Sequence, residues 1–576
     1  MSDPNPSSQL VTALVRTREA LHRATLPLEL PGVEEARAAR TEMVDQLEDY
    51  VLPRLIQIDA PLLAVVGGST GAGKSTLVNT LVGERVTEPG VLRPTTRSPV
   101  LVHNPADAAW FEEARILPDL ERTGRASADP GALQLVASAQ VPQGLAILDA
   151  PDIDSVEERN RTLAAQLLAA ADLWLFVTSA ARYADQVPWD FLKQAADRSA
   201  AVAIVLDRTP PGAVDEVAGH LARMLTARGL RDSPLFTVTE GTVDDDGLLP
   251  AGSVHEIRTW LQELGADAAA RAGVVRQTLD GAIRSIARRS HSVADACDEQ
   301  QRVLARLGDD VERSYARAVE EIDEASADGT LLRGEVLARW QEFVGTGDLL
   351  KVIESKVSWL RDRIGNALRG KPQQAGRVTV AVESGLQTLV IEHAEAAAER
   401  AAASWSSLEA GRQLLREGED ISRASRDFRA RTERAVRDWQ AGVFDMVRTE
   451  GAGKRSTARF LAYGFNGLAV ALMVVVFAST AAIPTGAEVG IGAGTAMVGQ
   501  KVLEAVFGDQ AVRRLAAAAR QDLERRVAGL MDAERARFEA RLASLDIEPD
   551  AAERLRSAAR TVDDVRFAAR GGVELG

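Results

Sequence analysis

The stretch Gly68-Ser69-Thr70-Gly71-Ala72-Gly73-Lys74-Ser75, entered from the apolar run Leu62-Leu63-Ala64-Val65-Val66, most narrows what this chain can fold into. Its spacing is that of a P-loop. Glycines let consecutive backbone N–H groups turn inward around phosphate oxygens, Lys74 supplies a point charge for the β and γ phosphates, and the Ser75 hydroxyl is placed for Mg2+. A continuous apolar run of this length reads as a buried parallel strand, and Thr76-Leu77-Val78-Asn79-Thr80-Leu81 continues at helical spacing. A strand feeding a helix N-terminus suits an anion, because the first N–H groups of the helix point at it. Gly68, Gly71, Ala72, Gly73, Lys74, Ser75 and Thr76 are therefore the expected cradle for a nucleoside triphosphate with Mg2+.

Length and charge limit the alternatives. A chain of 576 residues exceeds what one hydrophobic core organises, so three or four folding units are expected. Eighty-three acidic residues against 68 basic give a net charge of −15, and no run of five basic residues occurs, so no nucleic-acid partner is expected. Cys297 is the only cysteine, which excludes an intramolecular disulfide framework or a cysteine-cluster metal site. The start Met1-Ser2-Asp3-Pro4-Asn5-Pro6 lacks the basic and apolar regions of a signal peptide, so the expectation is synthesis completed in the cytosol.

Proline placement divides the chain. Between Pro250 and Pro484 only Pro372 occurs, and none lies between Pro484 and Pro549, so the second part is expected to be long helices. Val275, Leu279, Ile283 and Ile286 fall on one helical face, as do Val303, Leu307 and Val311, with charged residues between them. Breaks are expected at Gly345-Thr346-Gly347 and Gly370-Lys371-Pro372. Residues 8–25 and 33–57 also read as helices. In the middle, the runs Val100–Val102, Leu145–Leu148, Leu173–Val177, Ala201–Leu206 and Leu235–Val238 alternate with helix-length polar stretches. That alternation predicts a doubly wound, mostly parallel α/β domain with phosphate chemistry at the carboxyl ends of its strands.

One segment departs from this composition. Phe460 to Ala487 contains no charged residue, and Leu468 to Ala478 is as apolar as a membrane span, for which about 20 residues are needed. A turn at Pro484-Thr485-Gly486 and a shorter uncharged stretch, Val489 to Gln500, complete an expected membrane hairpin. Lys454, Arg455 and Arg459 before it, and Lys501, Arg513 and Arg514 after it, suit the cytoplasmic side of the cell membrane. The alternative is an apolar hairpin in the core of the helical bundle, permanently or until activation. The expected division is 1–58 N-terminal helices packing with the bundle, 59–255 P-loop domain, 256–455 helical neck and trunk, 456–510 hairpin, and 511–576 returning helices.

Around the P-loop, Asp149 follows Leu145-Ala146-Ile147-Leu148, where a second Mg2+-side carboxylate belongs. Asp149-Ala150-Pro151-Asp152 is the candidate γ-phosphate sensor. Arg93-Pro94-Thr95-Thr96-Arg97 offers Thr95 or Thr96 as the hydroxyl of a loop that closes on Mg2+ and γ-phosphate. Taken together, Gly-Ala-Gly-Lys-Ser-Thr-Leu-Val-Asn, Arg-Pro-Thr-Thr and Asp-Ala-Pro-Asp resemble GTPases of the translation-factor-related class, and specifically bacterial dynamin-like proteins. The flanking helices and late apolar hairpin are similar to that family's neck, trunk and membrane paddle. Low Lys with abundant Arg and Ala is similar to proteins of high-GC actinobacteria.

The resemblance implies GTP binding and hydrolysis, contact between GTPase domains, homo-oligomers or a second dynamin-like subunit, and assembly on a lipid bilayer. It makes Lys74 and Ser75 the phosphate and Mg2+ ligands, Thr95 or Thr96 the switch threonine, and Asp149 the carboxylate of the third motif. Two departures stand out. Asp152 replaces the third motif's usual Gly with no water-orienting Gln after it, which leaves Ser69 and Thr70 as candidates for positioning water, or as loop geometry alone. The base-reading motif is replaced by Asp207-Arg208-Thr209-Pro210, and Pro210 has no carboxylate for guanine. Arg208 is left to stack on the base, with Asp207 or Asp215 to approach its edge. The leading expectation is a membrane-remodelling or tethering GTPase. The alternative is a membrane-anchored switch, using GTP or ATP, that recruits partners without remodelling. A transport ATPase of the ABC type is disfavoured, because no Leu-Ser-Gly-Gly-Gln signature follows the P-loop.

Overall fold

The computed structural model describes residues 6–571 apart from 89–97, 114–115, 118–119, 126, 128, 130, 156–157, 198–199, 328–329, 333, 345–371, 453–456, 478–498, 501–502 and 505. Contacts divide the chain into two units, one of Met1–Leu26, Gly32–Asp298 and Glu548–Gly576, the other of Pro27–Pro31 and Glu299–Ile547. The 60-residue helix Ala268–Ala327 contributes residues to both.

The first unit is built on eight strands: β1 Leu62–Gly68, β2 Val100–His103, β3 Glu121–Thr123, β4 Ala132–Ala137, β5 Leu145–Asp149, β6 Leu173–Ser179, β7 Ala201–Thr209 and β8 Leu235–Thr239. Their order is β3-β4-β2-β5-β1-β6-β7-β8. All neighbours are parallel except β2 and β5. This mostly parallel sheet with interleaved helices is the expected α/β architecture. β1, β5 and β6 are buried along their whole lengths, which is why they read as unbroken apolar runs. Alternate residues Leu63, Val65, Leu148, Trp174 and Phe176 join one core cluster with Leu167 and Leu168 of the helix Glu158–Ala169. β3 and β4 escape an apolar-run search: β3 is three residues long and β4 is only half buried.

The N-terminal helices Pro6–Arg23 and Val33–Gln46 belong to this unit. A buried carboxylate ties the segment that follows them to the sheet. Asp172, just before β6, accepts hydrogen bonds from the Tyr50 hydroxyl at 3.0 Å, Arg54 Nε at 3.0 Å and the Leu63 N–H at 2.9 Å. Burial pushes the Asp172 pKa up, while the Arg54 charge opposes the rise.

The second unit is helical, with Glu335–Val344, Pro372–Ser406, Glu409–Arg416, Phe428–Ala452, Thr457–Val476 and Asp509–Ala543 contributing. Its core is organised by two buried tryptophans. Trp405 donates to the Leu307 carbonyl at 3.0 Å and meets Phe538 edge-on. Trp439 donates to the Ala519 carbonyl at 2.8 Å and lies against Phe477, with ring centroids 5.5 Å apart. Glu534 is wholly buried, and its carboxylate accepts the N–H and hydroxyl of Ser425 at 2.8 and 2.6 Å and also pairs with Arg431 and Arg537.

The apolar segment is placed in this core. Leu468 to Phe477 are all buried among the bundle's other helices, and among the described residues no helix is long and apolar enough to cross a membrane. The expectation of a spanning first leg is thus corrected for the described part: neighbouring helices supply the apolar surroundings that lipid was expected to supply. The turn at Pro484 and most of the second stretch lie outside the described residues. Because Trp439 covers Phe477, Trp439→Ala is expected to destabilise the helical unit by about 3–5 kcal/mol through a cavity in its core. Urea unfolding of the full chain followed by circular dichroism measures this as a lowered midpoint.

Candidate nucleotide-binding site

The site forms where β1 ends. Register brings Val66 opposite Asp149 of β5 and Gly68 opposite Val177 of β6, so the P-loop emerges between two neighbouring strand ends. A Cβ on Gly68 would fall 2.0 Å from the Val177 carbonyl oxygen, so the close approach of β6 demands glycine. Gly73 precedes the helix Lys74–Val82 with φ 96°, and a Cβ there would fall 2.0 Å from Asp207 Oδ2. Both positions lie in the left-handed region open to glycine.

Lys74 is buried, and its Nζ donates to the Gly68 and Ser69 carbonyls at 3.0 and 3.1 Å and to the Asp152 carboxylate. Ser75 packs against Asp149, which also accepts the Thr87 hydroxyl at 2.9 Å. Asp149 is fully buried; burial raises its pKa, opposed first by the Ser75 hydrogen bond and then by the Lys74 charge and Thr87. Its Oδ1 has no hydrogen-bond partner among the described residues. An orphaned carboxylate oxygen beside a serine hydroxyl fits Mg2+, which takes a carboxylate or two and completes its shell with phosphate and water. Among the described residues no cluster of three His, Cys, Asp or Glu side chains offers another metal site.

Ser69 and Thr70 sit in the loop as expected but differ in surroundings. Ser69 is buried with its hydroxyl unpartnered among the described residues. Thr70 is fixed: its N–H and hydroxyl donate to Asp154 Oδ1 at 2.6 and 2.7 Å, and its carbonyl accepts Arg182 Nη1 at 2.9 Å. Arg182 also pairs with Asp154 at 2.8 Å and Asp185 at 2.9 Å. Burial raises the Asp154 pKa, but the Thr70 hydrogen bonds and the Arg182 charge outweigh it and leave the pKa below the ordinary value. Gly71, with φ 75°, Ala72 and Thr76 complete the loop and first turn. Thr95 and Thr96 lie outside the described residues.

On the far side of Gly73, Asp207 is buried beside the P-loop and accepts the Arg208 N–H at 2.7 Å, while Arg208 is exposed with φ 52°. Asp215, in the first turn of the helix Val214–Ala227, is exposed.

Residues 63–207 match the family model of the Dynamin family. This part of the chain is similar to that family. A curated relative, the probable transmembrane GTPase FZO-like, chloroplastic, of Arabidopsis thaliana, is 28% identical over 126 residues. That alignment covers 22% of this chain and 13% of the relative, so the chain spans about an eighth of the relative's length. Among solved structures, two chains of an oligomerised bacterial dynamin pair, described for long-range sensing and tethering of membranes, are similar. The first is 7% identical with a TM-score of 0.45, covering 98% of this chain and 96% of that one. The second is 9% identical with a TM-score of 0.38, covering 95% and 97%.

Three residues of this site went unseen in the sequence. Thr87 precedes the expected switch loop, and Asn79 holds it there by accepting the Val86 and Thr87 N–H groups at 2.9 Å each. Asp154 and Arg182 are ordinary surface types in sequence, and only the fold brings them to Thr70. Asp207 yields a test of burial. Desolvation raises its pKa from an ordinary 3.8 to about 6. The folded chain therefore keeps a proton that the unfolded chain releases near pH 4, and stability falls as pH rises from 4 through 6. Asp207→Asn retains the acceptor for Arg208 and is expected to stabilise the first unit by up to about 3 kcal/mol at pH 7.5, with the gain vanishing below pH 4. Urea midpoints across pH 4 to 8 measure this.

Proposed function

We propose that this chain binds GTP as its Mg2+ complex, hydrolyses it, self-associates, and couples turnover to tethering or remodelling of a membrane at the cytoplasmic side. The observation that supports it best is the convergence of Lys74, Ser75 and Asp149 at the neighbouring ends of β1 and β5, within the residues that match the dynamin family. In this reading the loop N–H groups and Lys74 hold the phosphates, and Ser75 and Asp149 hold Mg2+, which neutralises charge on the transferred phosphoryl group. Ser69, with its buried unpartnered hydroxyl, is the stronger candidate to position water, because Thr70 is engaged by Asp154. Thr95 or Thr96 closes on the γ-phosphate. Arg208, exposed and strained, stacks on the base in place of the missing carboxylate contact at Pro210.

The membrane part rests on the apolar segment at 460–500, of which Leu468 to Phe477 are sheltered in the bundle, and on the relative named a transmembrane GTPase. Opening the bundle would expose Leu468 to Phe477 to lipid, and the division at 456–510 marks that element.

Lys74→Ala is expected to lower GTP turnover at least about 100-fold, since it removes the phosphate charge. Competition of ATP against labelled GTP decides the base, and GTP is expected to win. Turnover per molecule is expected to rise with protein concentration and with liposomes. Deletion of 460–500 is expected to abolish the liposome effect and vesicle sedimentation. Tight ATP binding with no GTP preference, or turnover indifferent to concentration and lipid, would favour the partner-recruiting switch.

A further inference from the structure

Lys74 has three ammonium protons, and in this structure two carbonyls and one carboxylate take them. The carboxylate is Asp152, three residues beyond Asp149, and both side chains of the pair are buried, at 5% and 7% exposure. Asp152 does not reach Lys74 from a loose loop. The segment carrying it is anchored on one side by Asp149 against Ser75 and Thr87, and on the other by Asp154, which takes the Thr70 N–H and hydroxyl and the Arg182 guanidinium. Between them the Ala150 N–H donates to the Val66 carbonyl at 3.1 Å, and Ile153, fully buried, donates to the Gly68 carbonyl at 3.3 Å. A short arch thus lies across the P-loop and presents one anionic oxygen to the lysine that a P-loop aims at phosphate.

We propose that the Asp152 carboxylate is a built-in stand-in for the γ-phosphate, pairing with Lys74 when the site is empty or holds a diphosphate and displaced when a triphosphate enters. This rests on the nucleotide-binding reading above. A γ-phosphate and Asp152 are both anions, and Asp149 already adds a second carboxylate beside the one lysine, so they cannot share Lys74 without repulsion in a buried site. A diphosphate leaves the γ position free and Asp152 in place. Asp152 is thereby a specificity-determining residue: it weakens triphosphate binding relative to diphosphate. Its displacement moves an arch that is tied through Asp154 to Thr70 and Arg182, so arrival of the γ-phosphate is transmitted to the segment after β6.

The test measures affinities of the full-length chain in excess Mg2+ for fluorescent GDP and for a fluorescent non-hydrolysable GTP analogue. Asp152→Asn keeps size and polarity, and Asp152→Gly is a second variant without the carboxylate. Both are expected to tighten analogue binding about tenfold, the scale of one charge-assisted contact, with GDP affinity changed less than about threefold. Asp185→Asn, which removes a carboxylate on Arg182 without touching Lys74, is expected to leave the ratio unchanged. An unchanged ratio in the Asp152 variants, an equal gain for both nucleotides, or the same shift from Asp185→Asn overturns the proposal while the nucleotide-binding reading stands. Failure of wild type and variants alike to bind guanosine or adenosine nucleotides overturns both.

Discussion

The register of β1 between β5 and β6 is the constraint on which the site depends. Pairing Val66 with Asp149 and Gly68 with Val177 sets the P-loop, the Asp149 carboxylate and the end of β6 at one level of the sheet. A slip of one residue would reverse the faces of β1, turning Leu63 and Val65 out of their core cluster. Core packing and site geometry are therefore selected together. The Asp172 carboxylate reinforces the same strand from its start, where it holds the Leu63 N–H and, through Tyr50 and Arg54, the segment that precedes β1. Strand β1 is thus fixed at one end by a buried ion pair and at the other by the approach of its neighbours.

Charge at the mouth of the loop is arranged around this frame with little slack. Among the described residues Lys74 and Arg182 are two of its cations, and each is met by more than one acceptor. Asp207 adds a third element by packing against Gly73, so β7 contributes to the shape of the loop rather than presenting that carboxylate openly. Each contact is made by a side chain at or just beyond a strand end, so the whole constellation follows from strand order once the register is set.

Much of this was legible in the sequence, and the parts that were not share a cause. The P-loop, Asp149, the six apolar strands and the long helices announce themselves because each is a local pattern: a motif, an unbroken run, or a 3.6-residue period. The face Val275–Ile286 and the residues Leu307 and Val311 are buried as their spacing predicts, with Val303 partly buried beside them. β3 and β4 are short or half buried, so their apolar content is too low to stand out. Thr87, Asp154 and Arg182 act only through partners distant in sequence: Arg182 meets Thr70 across 112 positions, and Thr87 meets Asp149 across 62. No window of the chain contains both halves of such a pair.

The apolar segment shows a different limit. Hydropathy reports that a helix must leave water, not where it goes, because lipid tails and a helical core reward the same side chains. Leu468 to Phe477 are buried against Trp439 and the helices around them. Fully burying a residue such as Leu or Phe contributes about 1.5–3 kcal/mol, so releasing this run into water would cost more than a typical domain's whole stability. Release into lipid costs far less, since the apolar environment is exchanged rather than lost. What opposes it is the packing of the bundle itself: the Trp439–Phe477 contact, and the wholly buried Glu534, whose pairing with Ser425, Arg431 and Arg537 holds other helices of the same unit together. A membrane nearby would therefore lower the cost of opening by supplying a second apolar solvent, and sheltering is the stable arrangement wherever only water is offered.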